Sequence, residues 1–452
     1  MSLVEGPVAR VLAVSTAPLA AALVIMFGVQ LAEAWLVGRL GPAALAALGF
    51  ALPLVMTAMS FGIGLGAGAS AVIGRAIGAR EEGVAHLSGH VLLLAAGLAV
   101  IVAVPAWLAA PALVRAIGAE GEAASLALSY LRIWLPGLLP LLVGMAALSL
   151  LRAAGDTRFQ GAALAGAGVL AFALDWPLAF GVPGLLPGLG LAGVALAAAL
   201  SWCAMLAVAI PRLRHLGLIG GRRGAGPGLA EATRRVLRVG VPAAATNAII
   251  PLAAALFTAL IARHGEAAVA GFALGTRAEA LAMTVLFALS AVANPFAAQN
   301  AGAGRLERVQ AGLRAALTFC AGYGALVALP LCLAAPVLAR WLAAGPEVAE
   351  SAALYLQIMP WGFGAVGAIA VVNAALNGLE RPMSAVAVSL ARTFLLGVPL
   401  AWLGSRLGGE VGTLAGILAA NLLVGIGAAA WVLRRTGRGG VGATGATRLA
   451  VG

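Results

Sequence analysis

Twelve long apolar runs follow one another along this chain, each closed by a short gap rich in Arg, Gly or Pro. A helix needs about 20 such residues to cross a hydrocarbon core. Inside that core every backbone N–H and C=O must find its partner within the protein, which leaves only helices or a closed barrel. The runs are continuous and do not alternate with polar residues, so they read as helices. We place them at about 13–39, 44–71, 86–110, 124–150, 160–181, 189–211, 236–262, 267–296, 309–334, 349–376, 383–404 and 412–433. The expected fold is an all-α integral membrane protein with twelve transmembrane helices.

Composition closes the alternative of a soluble domain. Hydrophobic residues make up 62% of the chain and charged ones only 10%, at a mean hydropathy of +1.05, too apolar for a surface facing water. The formal net charge of +12 would suit nucleic acid, but the basic residues, all of them Arg, fall mostly in the gaps between runs. That is a topology signal and argues against a nucleic-acid partner. Counted over alternate gaps, twenty arginines lie on one side and five, Arg39, Arg115, Arg263, Arg340 and Arg406, on the other. Both termini are therefore expected in the cytoplasm of a bacterial-type inner membrane. The first run is too long for a cleaved signal and is expected to stay as a span. Cys203, Cys320 and Cys332 lie inside apolar runs and read as small hydrophobes.

The longest polar gap, "RLRHLGLIGGRRGAGPGLAEATRR", divides the runs six and six. This gives an expected N-terminal lobe at 1–211, a cytoplasmic linker at 212–235, a C-terminal lobe at 236–434 and a flexible tail at 435–452. The halves are related. Shifted by 224 positions, Pro18 meets Pro242, Arg39 meets Arg263, Gly41 meets Gly265 and Met59 meets Met283; further on, "YLRI" at Tyr130 meets "YLQI" at Tyr355. Equal helix number from the same starting side makes this a parallel repeat of two pseudo-twofold-related six-helix bundles.

Within the first run, "VQLAEAWLVGRLG" carries a single acid, Glu33. A charged carboxylate at the centre of a membrane helix costs about 2.5 to 3.5 kcal/mol on insertion scales, so its presence asks for a reason. One reading is an acid reaching for the helix end and Arg39, although six residues is off the same helical face.

The chain resembles the multidrug and toxic-compound extrusion (MATE) family of the MOP flippase superfamily over nearly its whole length. "LAEAWLVGRLGPAALAALGFALP" is similar to the family's first two helices, "LLRAAGDTRFQ" to the turn after the fourth, and "TRAEAL" with "AAQNAGAGRLERV" to the eighth helix and the loop beyond it. The resemblance implies two lobes around a cavity open alternately to each side, exporting cationic or amphipathic small molecules against entry of protons or sodium. It implies a transporter and no enzyme, with no cofactor beyond the coupling ion, membrane lipids as surroundings, and a monomer.

The resemblance also gives Glu33 a role. The family's first-helix acid is usually Asp, and Asp175 in "FALDWPLAFG" matches its fifth-helix acid. Counting agrees that both lie about six residues before the outer ends of their runs, at one depth. Burial disfavours the charged form of a carboxyl group, and two of them together can take up and give back a proton. Gln30, one turn before Glu33, is a supporting candidate, for a shared proton or for helix packing. Ala171 stands where the family has Asn, which removes a hard oxygen ligand that sodium would use and favours protons, with sodium at Glu33 and Asp175 as the other possibility.

The C-terminal half lacks such a pair, since Glu33 aligns with Phe257 and Asp175 falls near Gly397 to Leu400. It has instead Arg277 and Glu279 in the eighth run and Arg392 in the eleventh. Residues two apart do not face one another on a helix, so these are expected to pair across helices, as Glu279 with Arg392, or to touch substrate or couple the lobes. Trp35, Trp176 and Trp202 are interface anchors or stacking surfaces for a cation. His86, His90, His215 and His264 have no metal spacing. A loop for ATP phosphates is absent, as is any Lys. Two alternatives of other kinds are a flippase for lipid or polyprenyl-linked head groups, in which Arg277 and Arg392 would hold phosphate, and a membrane enzyme, for which no His, Asp or Lys cluster is present.

Overall fold

The computed structural model of the chain describes residues 3–220, 226–343 and 345–437. Its helices are α1 (Val8–Arg39), α2 (Pro42–Gly78), α3 (Val84–Ala116), α4 (Gly121–Trp134), α5 (Leu138–Ala153), α6 (Thr157–Phe180), α7 (Leu191–His215), α8 (Leu229–Ile261), α9 (Glu266–Gly302), α10 (Leu306–Leu342), α11 (Pro346–Ile358), α12 (Phe363–Gly378), α13 (Pro382–Leu390) and α14 (Val398–Gly437). A π-helical stretch, Ala391–Gly397, joins the last two. Between α6 and α7, β1 (Gly181–Val182) and β2 (Leu186–Pro187) pair antiparallel.

These helices make the twelve expected spans, two of which are interrupted and two of which run together. α4 and α5 bend by 51° across their break and form one span. α11 and α12 are likewise one, joined by the 3-10 turn Met359–Gly362. The break recurs because a proline does: Pro136 in the first half and Pro360 in the second lack the N–H that a continuous helix would use. The eleventh and twelfth spans run together in secondary structure but part at Gly408 and Gly409, whose backbones leave the helical region (φ −142°, ψ 22° and φ 60°, ψ −136°).

The repeat survives in detail. α2 and α9 are each 37 residues long, and α5 and α12 each 16. Left-handed residues close the same helices in both halves: Arg80 (φ 54°) corresponds to Gly304 (φ 72°), and Gly155 (φ 81°) to Glu380 (φ 56°).

The chain forms two compact units, one from Pro18 to Ala244 and the other combining the residues up to Ala17 with those from Ala245 onward. The lobes expected at 1–211 and 236–434 are thus divided inside α1 and α8. The reason is local packing. In the second unit, the carbonyls of Leu3, Val4 and Gly6 accept hydrogen bonds from Asn300 Nδ2 (3.2 Å), Arg305 Nη1 (2.6 Å) and Arg308 Nη1 (2.9 Å). In the first unit, α2 meets the start of α8 on glycine: a Cβ on Gly64 would lie 2.6 Å from the Gly240 carbonyl oxygen, and one on Gly68 2.4 Å from that of Val236. The linker expected at 212–235 is narrower, since α7 runs to His215 and α8 starts at Leu229. Residues 221–225, and the tail from residue 438, lie outside the described residues.

In the first unit Leu36, Ala47, Leu131, Leu138 and Leu191 build one core and Ile73, Leu87, Leu150 and Leu213 another. Outward, large apolar side chains stand open: Ile101 71%, Leu326 71%, Leu333 74% and Trp341 86% exposed. A surface of this kind is covered by lipid. The chain is a multi-pass membrane protein.

Candidate functional site

In the first unit, α1 and α6 bring Glu33 and Asp175 together. Each stands one to two turns before its helix end, where Trp35 and Trp176 stack with ring centroids 6.4 Å apart and planes at 22°. Trp176 continues to Phe180 at 4.7 Å, and the Arg39 guanidinium lies over Trp35, 5.5 Å from its centroid. Arg39 therefore meets the aromatic ring two residues beyond Glu33. Asp175 is 2% exposed, and Glu33 is half-buried. Their charges act on one another, and both act on the hydroxyl of Tyr130 from α4, itself 5% exposed. Gln30, one turn before Glu33, is exposed.

The second unit holds a cavity of about 320 Å³, within the range of small-molecule sites. Its walls are apolar, with Phe257, Phe272 and Phe287, and its polar groups converge from five spans. On α9, Gly271 and Gly275 lie one turn apart and form a flat strip, with Glu279 one turn beyond. A Cβ on Gly275 would lie 2.3 Å from the Tyr355 ring, so only glycine lets that ring lie against α9. One turn on, Glu279 accepts the hydrogen bond from the Tyr355 hydroxyl. Phe272 meets the same ring edge-on at 5.4 Å.

Arg392 comes from the π-helical stretch. There the extra residue per turn shifts the register of the eleventh span. Its Nε donates to Asn421 Oδ1 at 2.8 Å, and its charge acts on Glu279 and Tyr355. The expected pairing of Glu279 with Arg392 is thus an electrostatic one across the cavity, with each hydrogen bond directed to a neutral partner. Arg277 is exposed and does not line the cavity. Asn373 Nδ2 donates to Ser389 Oγ at 3.0 Å.

Sequence reading found the acids and arginines but passed over Tyr130 and Tyr355. A signal for both was present, because they are the matching residues of "YLRI" and "YLQI". No signal marked Asn373, Ser389 or Asn421, which become site residues only through helix packing. Among the described residues, no cluster of His, Cys, Asp and Glu is arranged to hold a metal. His86 and His90 meet each other at 4.3 Å.

The family model described as MatE matches residues 18–176 and 242–403, once in each half. Among its relatives, the chain is 33% identical to the "FAD transporter" of Shewanella oneidensis, over 94% of each chain. It is 26% identical to the "Probable multidrug resistance protein YoeA" of Bacillus subtilis, over 83% of this chain and 82% of that one. Among solved structures it is similar to the Vibrio cholerae MATE transporter VcmN in the bent form, with 27% identity, a TM-score of 0.90, and coverage of 95% of this chain and 98% of that one.

Proposed function

The chain belongs to the MatE family of membrane transporters, and from that premise we propose that it exports amphipathic small molecules by alternating access, driven by inward proton flow at Glu33 and Asp175. The observation that carries this reading is the meeting of two carboxyl groups from separate membrane helices beside a buried tyrosine. Two charges of one sign in apolar surroundings repel, and neither is cheap there. A proton taken up or released changes the charge of the pair and so biases two conformations differently, which is what coupling requires. The Tyr130 hydroxyl adds a polar group that feels the charge of both.

The arginine distribution supports cytoplasmic termini in an inner membrane. Ala171 in place of an amide supports protons over sodium. Two substrate classes stand beside each other. Cationic amphipathic compounds follow the multidrug resistance relatives, and a flavin dinucleotide follows the Shewanella relative, which matches the chain at the higher identity. A head-group flippase draws less support, because only Arg392 of its two arginines faces the cavity.

The test is export from everted vesicles of a panel of fluorescent cations and of FAD, with an imposed pH gradient and with or without sodium. Glu33→Gln and Asp175→Asn are expected to fold, since a neutral amide is cheaper in lipid than a charge, and to lose gradient-driven export. Glu33→Asp is expected to keep it. Wild-type export by Glu33→Gln would falsify the coupling role.

A further inference from the structure

Tyr130 and Tyr355 occupy the same place in the repeat, yet their surroundings have diverged. Tyr130 stands with two carboxyl groups, whereas Tyr355 stands with one carboxyl group and one guanidinium. The first arrangement attracts a cation. The second balances its own charge.

The cavity of the second unit therefore offers an organic cation no net negative charge, since Arg392 on its wall offsets Glu279. What the cavity leaves open is specific. Arg392 lines the cavity and spends Nε on Asn421, which fixes the plane of a guanidinium whose two terminal nitrogens are further donors. Asn373 spends its amide nitrogen on Ser389, and its Oδ1 is buried without a hydrogen-bond partner. A buried acceptor with no donor is costly and asks for an occupant. These groups are neighbours, since Ser389 lies three residues before Arg392 on one helical run. Around them stand Phe257, Phe272 and Phe287, which offer faces and edges for stacking.

We propose that this cavity binds a planar heteroaromatic ligand, neutral or anionic, whose edge presents a carbonyl acceptor to Arg392 and a ring N–H donor to Asn373. A cyclic imide edge has that pattern. Tyr355 and Glu279 hold one wall in place through the glycine strip of α9, and the site selects against permanent cations by placing a fixed positive charge at its polar end. The proposal rests on the reading of the chain as an exporter of amphipathic small molecules and names the ligand chemistry of its second unit.

The experiment is equilibrium binding to the purified full-length protein in lipid nanodiscs. Riboflavin, a ring with an imide edge and no phosphate, is followed by its fluorescence, with ethidium as the cationic competitor. Wild type is expected to bind riboflavin and to keep it in the presence of ethidium. Arg392→Lys keeps the charge opposite Glu279 but loses the planar fork, and Asn373→Leu removes the acceptor. Each is expected to weaken binding about tenfold or more. Phe257→Ala leaves the polar groups in place, so it decides the matter if either of those variants fails to fold, and it too is expected to weaken binding. Unchanged affinity in the folded variants, absence of riboflavin binding by folded wild type, or displacement of riboflavin by ethidium would each overturn the proposal. Riboflavin binding without export of any compound would sink the transport reading and still support the site.

Discussion

Glu279 shows how one carboxyl group is kept in a membrane helix. It accepts from Tyr355 and feels the charge of Arg392, so neither charged side chain is left alone in apolar surroundings. Removing one member of such a pair leaves the other uncompensated and costs about 3 to 5 kcal/mol. Glu279→Gln is therefore expected to lower the thermal stability of the detergent-solubilised protein, and Glu279→Gln with Arg392→Met to recover part of the loss. A single variant as stable as wild type would show that water already solvates Glu279. At this scale the sequence was informative in one direction only. An acid or arginine in an apolar run announces itself by its cost, while Asn373 and Asn421 cost little in isolation and gain their meaning from neighbours on other spans.

Among the elements, close approach governs where helices cross. Gly64 and Gly68 lie one turn apart on α2 and admit the backbone of α8, the small-residue packing that membrane helices use in place of a hydrophobic driving force. Gly68→Leu is expected to cost about 3 kcal/mol or more, because the atom it meets is a backbone carbonyl oxygen that cannot turn aside. Gly97→Leu, on an exposed part of α3 with open space before it, is the control and is expected to melt near wild type. Equal melting of the two would show that the crossing tolerates separation. The left-handed turns add a gentler case. Arg80 adopts φ 54° where the second half has Gly304, and Arg80→Gly is expected to raise stability by about 1 kcal/mol. These crossings were hidden in the sequence, where glycine is so frequent (61 residues) that its positions carry no signal until two backbones are seen to meet.

For the whole molecule, the orientation in the membrane is set by where the arginines lie. In a variant without its three cysteines, a cysteine at Glu120 is expected to react with an impermeant maleimide on intact cells, and a cysteine at Glu82 only after permeabilisation. The opposite pattern would reverse the topology and with it the direction of proton entry.

The sequence by itself determined the twelve spans, their order and the repeat, because hydrocarbon imposes length and composition on each span independently of the others. It also placed Glu33 and Asp175 at one depth, since a helix converts residue count into distance along its axis. Rotation about that axis is a different matter. Which face Tyr355 and Arg392 turn inward depends on the glycine strip of α9, on the π-helical register of Ala391–Gly397 and on the break at Pro360, each of which acts through contact between helices. Only the tertiary structure decided those contacts, because side chains become neighbours in a cavity through packing between separate spans, as Tyr355 does with Glu279, and no local pattern records it.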